Sequence, residues 1–514
     1  MDKIQLNTDI RECRFLEDEQ VWEVTLEHLM TGVGDLSEHD RAQRIKENGR
    51  ASVYVSEEKI RAKVLVSCVG GLVEPRVWPE NVPGKDKFQG EIFHSARWRY
   101  DVDLKDKDVV VVGTGCSAAQ FVPQLTKKYG AKSVTQLMRS PPWVVPRMVA
   151  LGGDQGWEKW SPWLNTHIPG FGKAIRYSIA CMAEYDWRLF GSEDYHEKER
   201  NKVEVQLLTH MKKTVPRKYH EILTPDYGVG CKRRIFDATW FPGLNDSNIE
   251  LTTLPLTSIS EKSVTLGPGR TYPDPKDTNS SAPTHEVAIP ADVIILANGF
   301  DVTKWLHPLE IHGRGGKKLH DVFDERGGAQ MYMGTALDGF PNFFTIFGPN
   351  TATGHSSVIL ASENMVNMSL KFIGPIINGD VDIVEIKKEA EFEWARDTQA
   401  ALKKRVWNTG GCRSWYQTEA GWNSTVYPYT QIWFGLRCMF PTWSDWDIKY
   451  TRKGLVKKIA KKTLRTLAII ATIVGIVRLR RNTANRSLRN ILEEYTRLAL
   501  LKGSILLEAA GSKV

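Results

Sequence analysis

The sequence is notable first for what is scarce in it. Its seven cysteines (Cys13, Cys68, Cys116, Cys181, Cys231, Cys412 and Cys438) form no C-x-x-C pair and are odd in number. No metal centre is expected from them, and with no apolar stretch after Met1 to act as a signal peptide they read as reduced thiols of a cytoplasmic protein. The apolar run from Thr466 to Val477 falls short of the roughly 20 residues a membrane-spanning helix needs. Charge of one sign is barely in excess. A formal net charge of +8 over 514 residues, gathered towards the C-terminus, fits a basic tail and not a nucleic-acid surface. The first 70 residues contain no G-x-G-x-x-G. What remains is a globular composition, 41% hydrophobic and 25% charged, long enough for two or more domains. The seventeen tryptophans suit a protein that encloses large flat organic ligands.

The most informative stretch is Val109–Gln120. Four successive valines make the β-branched, wholly apolar strand expected of a parallel sheet buried on both faces. They lead into Gly113-Thr114-Gly115-Cys116-Ser117-Ala118, spaced as G-x-G-x-x-G/A, and then a helix reaching through Gln120 to Leu125. Gly113 permits the tight turn, Gly115 lets a pyrophosphate approach the backbone, and Ala118 allows close helix–strand packing. The unpaired N–H groups of the helix start then face the phosphates. Ser133–Met138 reads as the second strand, ending at Arg139. An acid there would hold a ribose 2′-hydroxyl; an arginine suits a 2′-phosphate, so NADPH is favoured over NADH.

Short strands are expected at Ile4–Leu6, Val21–Leu26, Ala51–Val55 and Lys63–Val69, with a charged loop at Asp40–Gly49. A proline-rich connector then leads to Phe88, Gly90, His94 and Trp98, spaced F-x-G-x-x-x-H-x-x-x-W. This pattern ahead of a dinucleotide fold resembles the fingerprint of Baeyer–Villiger monooxygenases, class B flavoproteins using FAD and NADPH; Arg99 stands where that family usually has Pro or Asp. The resemblance makes His94 a network residue linking the nucleotide domains. It also makes Ser140, beside Arg139, a 2′-phosphate contact.

Further segments follow in the family's order. Long helical stretches at Lys173–Phe190 and His196–Lys213, with Trp157, Trp160, Trp163 and Trp187, look like the helical insertion that caps the substrate site. Cys231-Lys232-Arg233-Arg234 resembles the catalytic-arginine segment: Lys232 aligns with the lysine that supports NADPH, and Arg233 with the arginine beside the flavin. That position implies for Arg233 the role of stabilising the reactive peroxide anion and the charge developing on the attacked oxygen. A polar loop at Thr271–His285 precedes Leu296-Ala-Asn298-Gly299-Phe300-Asp301, close to the segment Leu-Ala-Thr-Gly-(Phe/Tyr)-Asp of two-dinucleotide-domain flavoproteins. Phe347-Gly348-Pro349-Asn350 and the turn up to Val358 resemble the C-terminal flavin contact, and Ser414-Trp415-Tyr416 the segment whose Trp415 faces the nicotinamide.

The fold class implied is α/β, a two-dinucleotide-binding-domain flavoprotein with an intact NADP domain and a helical insertion. Its segments are 1–104 (remnant of the FAD domain and fingerprint linker), 105–149 and 228–294 (NADP domain), 150–227 (helical insertion), 295–450 (return into the FAD domain) and 451–514 (basic, apolar tail). The first FAD-binding strand–GxGxxG–helix is absent. Ile10 stands where the adenine is contacted, so the chain is expected to be truncated there or unable to hold FAD alone. The activity implied is oxygen insertion beside the carbonyl of a bulky hydrophobic, polyketide-like ketone, with FAD, NADPH and O2 and no nucleic acid. A flavin hydroxylase or epoxidase, and a non-catalytic NADP-binding remnant, stay open beside it. Lys457, Lys458, Lys461, Lys462 and Arg465 before the apolar run, and Arg478, Arg480 and Arg481 after it, suit a helix at 457–481 lying on an anionic membrane surface; docking on the protein body is the other reading.

Overall fold

A computed structural model describes residues 3–237, 239–273, 283–302, 305–412, 414–418 and 420–482. Its chain forms two units, one of residues 1–377 and 383–448, the other of 378–382 and 449–514.

The first unit is organised by a five-stranded sheet. Its order is Ile249–Thr252, Ser133–Leu137, Asp108–Val112, Val293–Leu296, Glu91–His94, and all neighbours run parallel. The valine strand lies at its centre, with Val109, Val110 and Val111 at most 1% exposed. That is the environment in which a wholly apolar strand is stable. The helix Cys116–Lys127 follows as expected, burying Ala118, Ala119 and Val122 against the strand.

At the turn between them Gly113 has φ 122°, and a Cβ built on it would lie 2.4 Å from the Ala297 carbonyl oxygen. Backbone there passes so close to backbone that only glycine fits. The fully buried Gln136 props the same turn: its Nε2 donates to the Gly113 carbonyl (2.9 Å), and its Oε1 accepts from the Trp240 indole N–H (2.9 Å).

A second sheet runs Glu310–His312, Thr8–Leu16, Val21–Leu29, Tyr54–Ala62. Its core is built around Trp22, Phe15, Phe340 and Phe343. Leu65–Ser67 pairs in parallel with Phe343–Thr345. The insertion is helical, as read: Gly153–His167, Phe171–Tyr185 and Asp194–Thr214. A tight turn at Asp186–Leu189 ends the second helix earlier than Phe190.

Three local expectations are corrected. Asp40–Gly49 is not a loop but the body of a helix, Glu38–Asn48. Ser37 Oγ caps it by accepting from the Asp40 N–H (3.1 Å), acids fill its first turn, Lys46 its last, and Gly49 ends it at φ 79°. The charges that suggest a loop instead complement the helix dipole. Ile4–Leu6 is exposed and lies ahead of the strand, which starts at Thr8. Ala51 belongs to a single helical turn, Arg50–Ser52, before the strand at Tyr54.

In the second unit, helix Arg452–Asn482 contains the expected basic and apolar stretch. Asp380 holds its start, accepting from Lys457 Nζ (2.8 Å), with Lys453 Nζ at 3.8 Å. Among the described residues no helix is long and apolar enough to cross a membrane. Residues 274–282 of the polar loop and 483–514 of the tail lie outside the described residues.

Replacing Gly113 by Ala should shift the urea midpoint downward, by at least about 2 kcal/mol of stability, because the new Cβ meets a fixed carbonyl at a positive φ. An unchanged midpoint would remove this account of the turn.

Candidate functional site

The carboxyl ends of parallel strands, where chain direction reverses, form the crevice in which α/β sheets hold ligands. Here those ends carry most of the residues singled out from sequence. Gly115 begins the helix at Cys116 with no side-chain cap, and a Cβ on Gly115 would meet nothing within 4 Å. Gly113 is therefore glycine for the fold, whereas Gly115 leaves open space over uncapped N–H groups, the geometry of a phosphate cradle. Cys116, Ser117 and Gln120 are exposed around it; Thr114 and Ala118 are buried beneath.

Arg139, Ser140 and Lys232 meet. Lys232 Nζ donates to Ser140 Oγ (3.0 Å) and sits 4.5 Å from the centre of the Tyr227 ring. Burial, and then the neighbouring Arg139 guanidinium, lower the Lys232 pKa, with Asp226 opposing. Two cations are thus held together at the end of the second strand, where a 2′-phosphate would neutralise both.

Arg233, next in the chain, is exposed and acts electrostatically on both Cys116 and Tyr416. It has no carboxylate partner among the described residues. Its neighbour Arg234 is buried and tied to Asp186 (2.8 Å). Burial pushes the Tyr416 phenol up to about 12, with Arg233 opposing. Trp415 is 40% exposed and packs on the Tyr416 ring at 4.6 Å.

His94 sits at the end of its strand, 9% exposed. Its Nδ1 accepts from the Ala96 N–H (3.0 Å), and the ring faces Asn298, the Gly299 backbone and Phe300. Burial lowers its pKa. Its contacts reach from its own strand end to the Asn298–Phe300 turn.

The three residues assigned to FAD stand on separate elements. Gly348 is glycine for packing: its Cβ would lie 2.3 Å from the Gly334 carbonyl. It sits between Phe347 (φ 60°) and Asn350 (φ 57°), left-handed positions that cost a bulky residue strain. Val358 opens the helix Val358–Ile377. Ile10 stands on the other sheet, 45% exposed beside an irregularity in pairing.

Two features had no local signal in sequence. Cys231 and Cys412 are joined in a disulfide, which corrects the expectation of wholly reduced thiols; pairs 181 residues apart are invisible to spacing rules. The other is a buried pair, His355 Nε2 to Glu184 Oε1 at 3.2 Å, with Thr353 Oγ1 on His355 Nδ1 (2.9 Å). It fastens the insertion to the turn before Val358. Beside it lies a cavity of about 520 Å³ lined mainly by apolar side chains, among them Trp157, Phe171, Ile175, Ile179, Phe236 and Leu360.

Residues 42–159 match the flavin-binding monooxygenase-like family. A Baeyer–Villiger monooxygenase of Streptomyces coelicolor is 31% identical over 375 residues, covering 72% of this chain and 66% of the relative. An FAD-binding monooxygenase, ktnD, of Aspergillus niger is 27% identical over 466 residues, covering 88% and 68%. The chain spans about two thirds of the length of these curated relatives. Among solved structures, an oxidised steroid monooxygenase bound to NADP superposes with a TM-score of 0.64 at 21% identity, covering 86% of this chain and 80% of that one. A closed form of cyclohexanone monooxygenase gives 0.63 at 20% over the same shares. The fold is theirs.

Arg139→Ala should weaken NADPH binding by about 1.5–3 kcal/mol, the scale of hydrogen bonds to charged groups, and leave NADH binding nearly unchanged. Equal losses for both nucleotides in fluorescence titrations would overturn the 2′-phosphate assignment.

Proposed function

The chain belongs to the flavin-binding monooxygenase-like family, and from that premise we propose that it is an FAD- and NADPH-dependent monooxygenase of Baeyer–Villiger type acting on a bulky hydrophobic ketone. The observation that carries this reading is the convergence of Arg139, Ser140 and Lys232 beside an uncapped helix start, with the exposed Arg233, which has no carboxylate partner among the described residues, next in the chain.

The residues present fit NADPH. Gly113 and Gly115 shape the turn, the N–H groups from Cys116 to Ala118 take the pyrophosphate, with Thr114 beneath and Gln120 one turn on, and Arg139, Ser140 and Lys232 hold the 2′-phosphate. Trp415 covers the nicotinamide end. For FAD the fitting residues are the turn that leads to Val358, with Gly348 shaping it and Ile10 presenting a half-exposed apolar side chain to the adenine. In this reading 1–104 and 295–450 serve FAD, 105–149 and 228–294 serve NADPH, and 150–227 caps the substrate.

Bound FAD supplies the oxidising chemistry, activating O2 with electrons taken from NADPH. The chain supplies binding, orientation and charge. Arg233, exposed and without a counter-ion among the described residues, stabilises negative charge developing on the carbonyl oxygen under attack. His94 keeps the two strand ends in register and moves no proton in the chemistry. The half-open cavity of about 520 Å³ beside the insertion takes the apolar body of the ketone.

The C-terminal helix serves a different purpose. Lys457, Lys458, Lys461, Lys462 and Arg465 precede apolar side chains exposed from Leu467 to Val477, a pattern suited to an anionic membrane surface. A cytoplasmic setting, with the chain at the inner face of a membrane, is part of this reading.

With FAD, NADPH and a bicyclic ketone supplied, the expected product is an ester or lactone; a hydroxylated product would move the chain to the flavin hydroxylases, and no product would leave a nucleotide-binding remnant. Arg233→Ala should lower oxygenation by about 10²–10³-fold, the scale of losing one oxyanion donor, while NADPH still reduces the flavin. Equal loss of both steps would remove Arg233 from the role.

The full chain should sediment with phosphatidylserine vesicles at low salt and be released at high salt, whereas a chain ending at Ser444 should not sediment. Release by detergent alone would mean insertion.

A further inference from the structure

Two loops that carry opposite sides of the nucleotide mouth are joined covalently. Cys231 immediately precedes Lys232 and Arg233; Cys412 lies just ahead of Ser414, Trp415 and Tyr416. The disulfide between them spans 181 residues of sequence. Among the described residues the loops are further linked by the Gly228 N–H donating to the Gly410 carbonyl at 2.9 Å, by Tyr416 buried close to Arg233, and by the packing of Val229 and Cys231 with Val406, Trp407 and Tyr416.

The two sides differ in what else holds them. The arginine segment is pinned independently, by Lys232 to Ser140 (3.0 Å) and by Arg234 to Asp186 (2.8 Å). The Trp415 loop is tied chiefly within its own region, Tyr416 N–H to Ser414 Oγ (3.2 Å) and Gln417 Nε2 to the Trp407 carbonyl (3.1 Å). Opening the S–S bond would therefore leave the arginine side in place and loosen the tryptophan side.

The sulfurs also differ in access. Cys231 is fully buried, while Cys412 is partly exposed. Exchange with an external thiol is thus directed to Cys412.

We propose that the Cys231–Cys412 disulfide is a reversible redox clamp on the nucleotide mouth, holding Trp415 and Tyr416 against the Lys232–Arg233 segment when closed and releasing them when a dithiol opens it. A thiolate of the dithiol attacks Cys412 Sγ, and Cys231 Sγ leaves and takes up a proton. The second thiol of the reductant then resolves the mixed disulfide and frees Cys412 as a thiol. Two electrons and two protons pass to the clamp, and the reductant leaves as its own disulfide; a disulfide oxidant reverses the step. The effect on NADPH rests on the nucleotide site argued above, whereas the opening of the loop does not.

The test uses the full chain, unreduced and after dithiothreitol, with two readouts: NADPH affinity by nucleotide fluorescence, and hydrogen exchange of peptides covering 414–418 and 228–235. Reduction should add two alkylatable thiols, at Cys231 and Cys412, and speed exchange at 414–418 more than at 228–235. It should weaken NADPH binding by about fivefold or more, the lower end of ordinary coupling between sites. Cys412→Ser should reproduce both changes and be indifferent to dithiothreitol. Free thiols at both positions in the unreduced protein would overturn the proposal. So would unchanged exchange on reduction, or loss of far-UV ellipticity, which would mark the bond as a structural staple. If neither state binds NADPH, the nucleotide-site reading fails, and the exchange data alone decide the clamp.

Discussion

Like charges brought near one another, Arg139 beside Lys232 with Asp226 opposing, are the constraint on which the site depends. Like charges near a protein surface repel, and a chain free to relax would move Lys232 away from Arg139. It does not, because Lys232 is fixed by Ser140 and by the face of Tyr227, whose own hydroxyl donates to the Pro141 carbonyl at 2.7 Å. Trp143, one turn of chain further on, donates to the Tyr227 carbonyl (2.9 Å). The repulsion is balanced by a rigid backing of aromatic rings and main-chain bonds, and it leaves an electrostatic demand for an anion.

The sheet supplies the rest of that rigidity. The centre strand, the strand ending at Leu296 and the strand ending at His94 stop at one edge, so Gly113, Asn298–Phe300 and His94 become neighbours. The glycine turn is braced by Gln136 from below and by Ala297 from the side. The exposed residues include those that would face a ligand: Cys116, Ser117, Arg139, Arg233 and Trp415.

Much of this was legible in the residues themselves. A run of valines followed by two glycines at the right spacing admits few structures, because periodicity and backbone freedom point the same way. Arg139 could be read as a phosphate contact because strand length fixes where the second strand ends. The helix at Glu38–Asn48 was not legible, since its residues are polar on nearly every face and its stability comes from a cap and end charges. Nor were the disulfide and the Glu184–His355 pair, whose partners meet only after the insertion has folded back. Ile10, Gly348 and Val358 stand on different elements, and only the resemblance groups them.

The strand Val293–Leu296 lies between two strands that are made much earlier, Glu91–His94 on one side and Asp108–Val112 on the other. During synthesis at roughly 5–20 residues per second, the valine strand must wait on the order of ten to forty seconds for the neighbour that covers its second edge. For that interval a bare, β-branched, uncharged edge is available to any other chain. The protein's vulnerable moment therefore falls on the ribosome, before Leu296 emerges. Its yield in a cell depends on whatever shields nascent chains, quite apart from the stability of the finished fold.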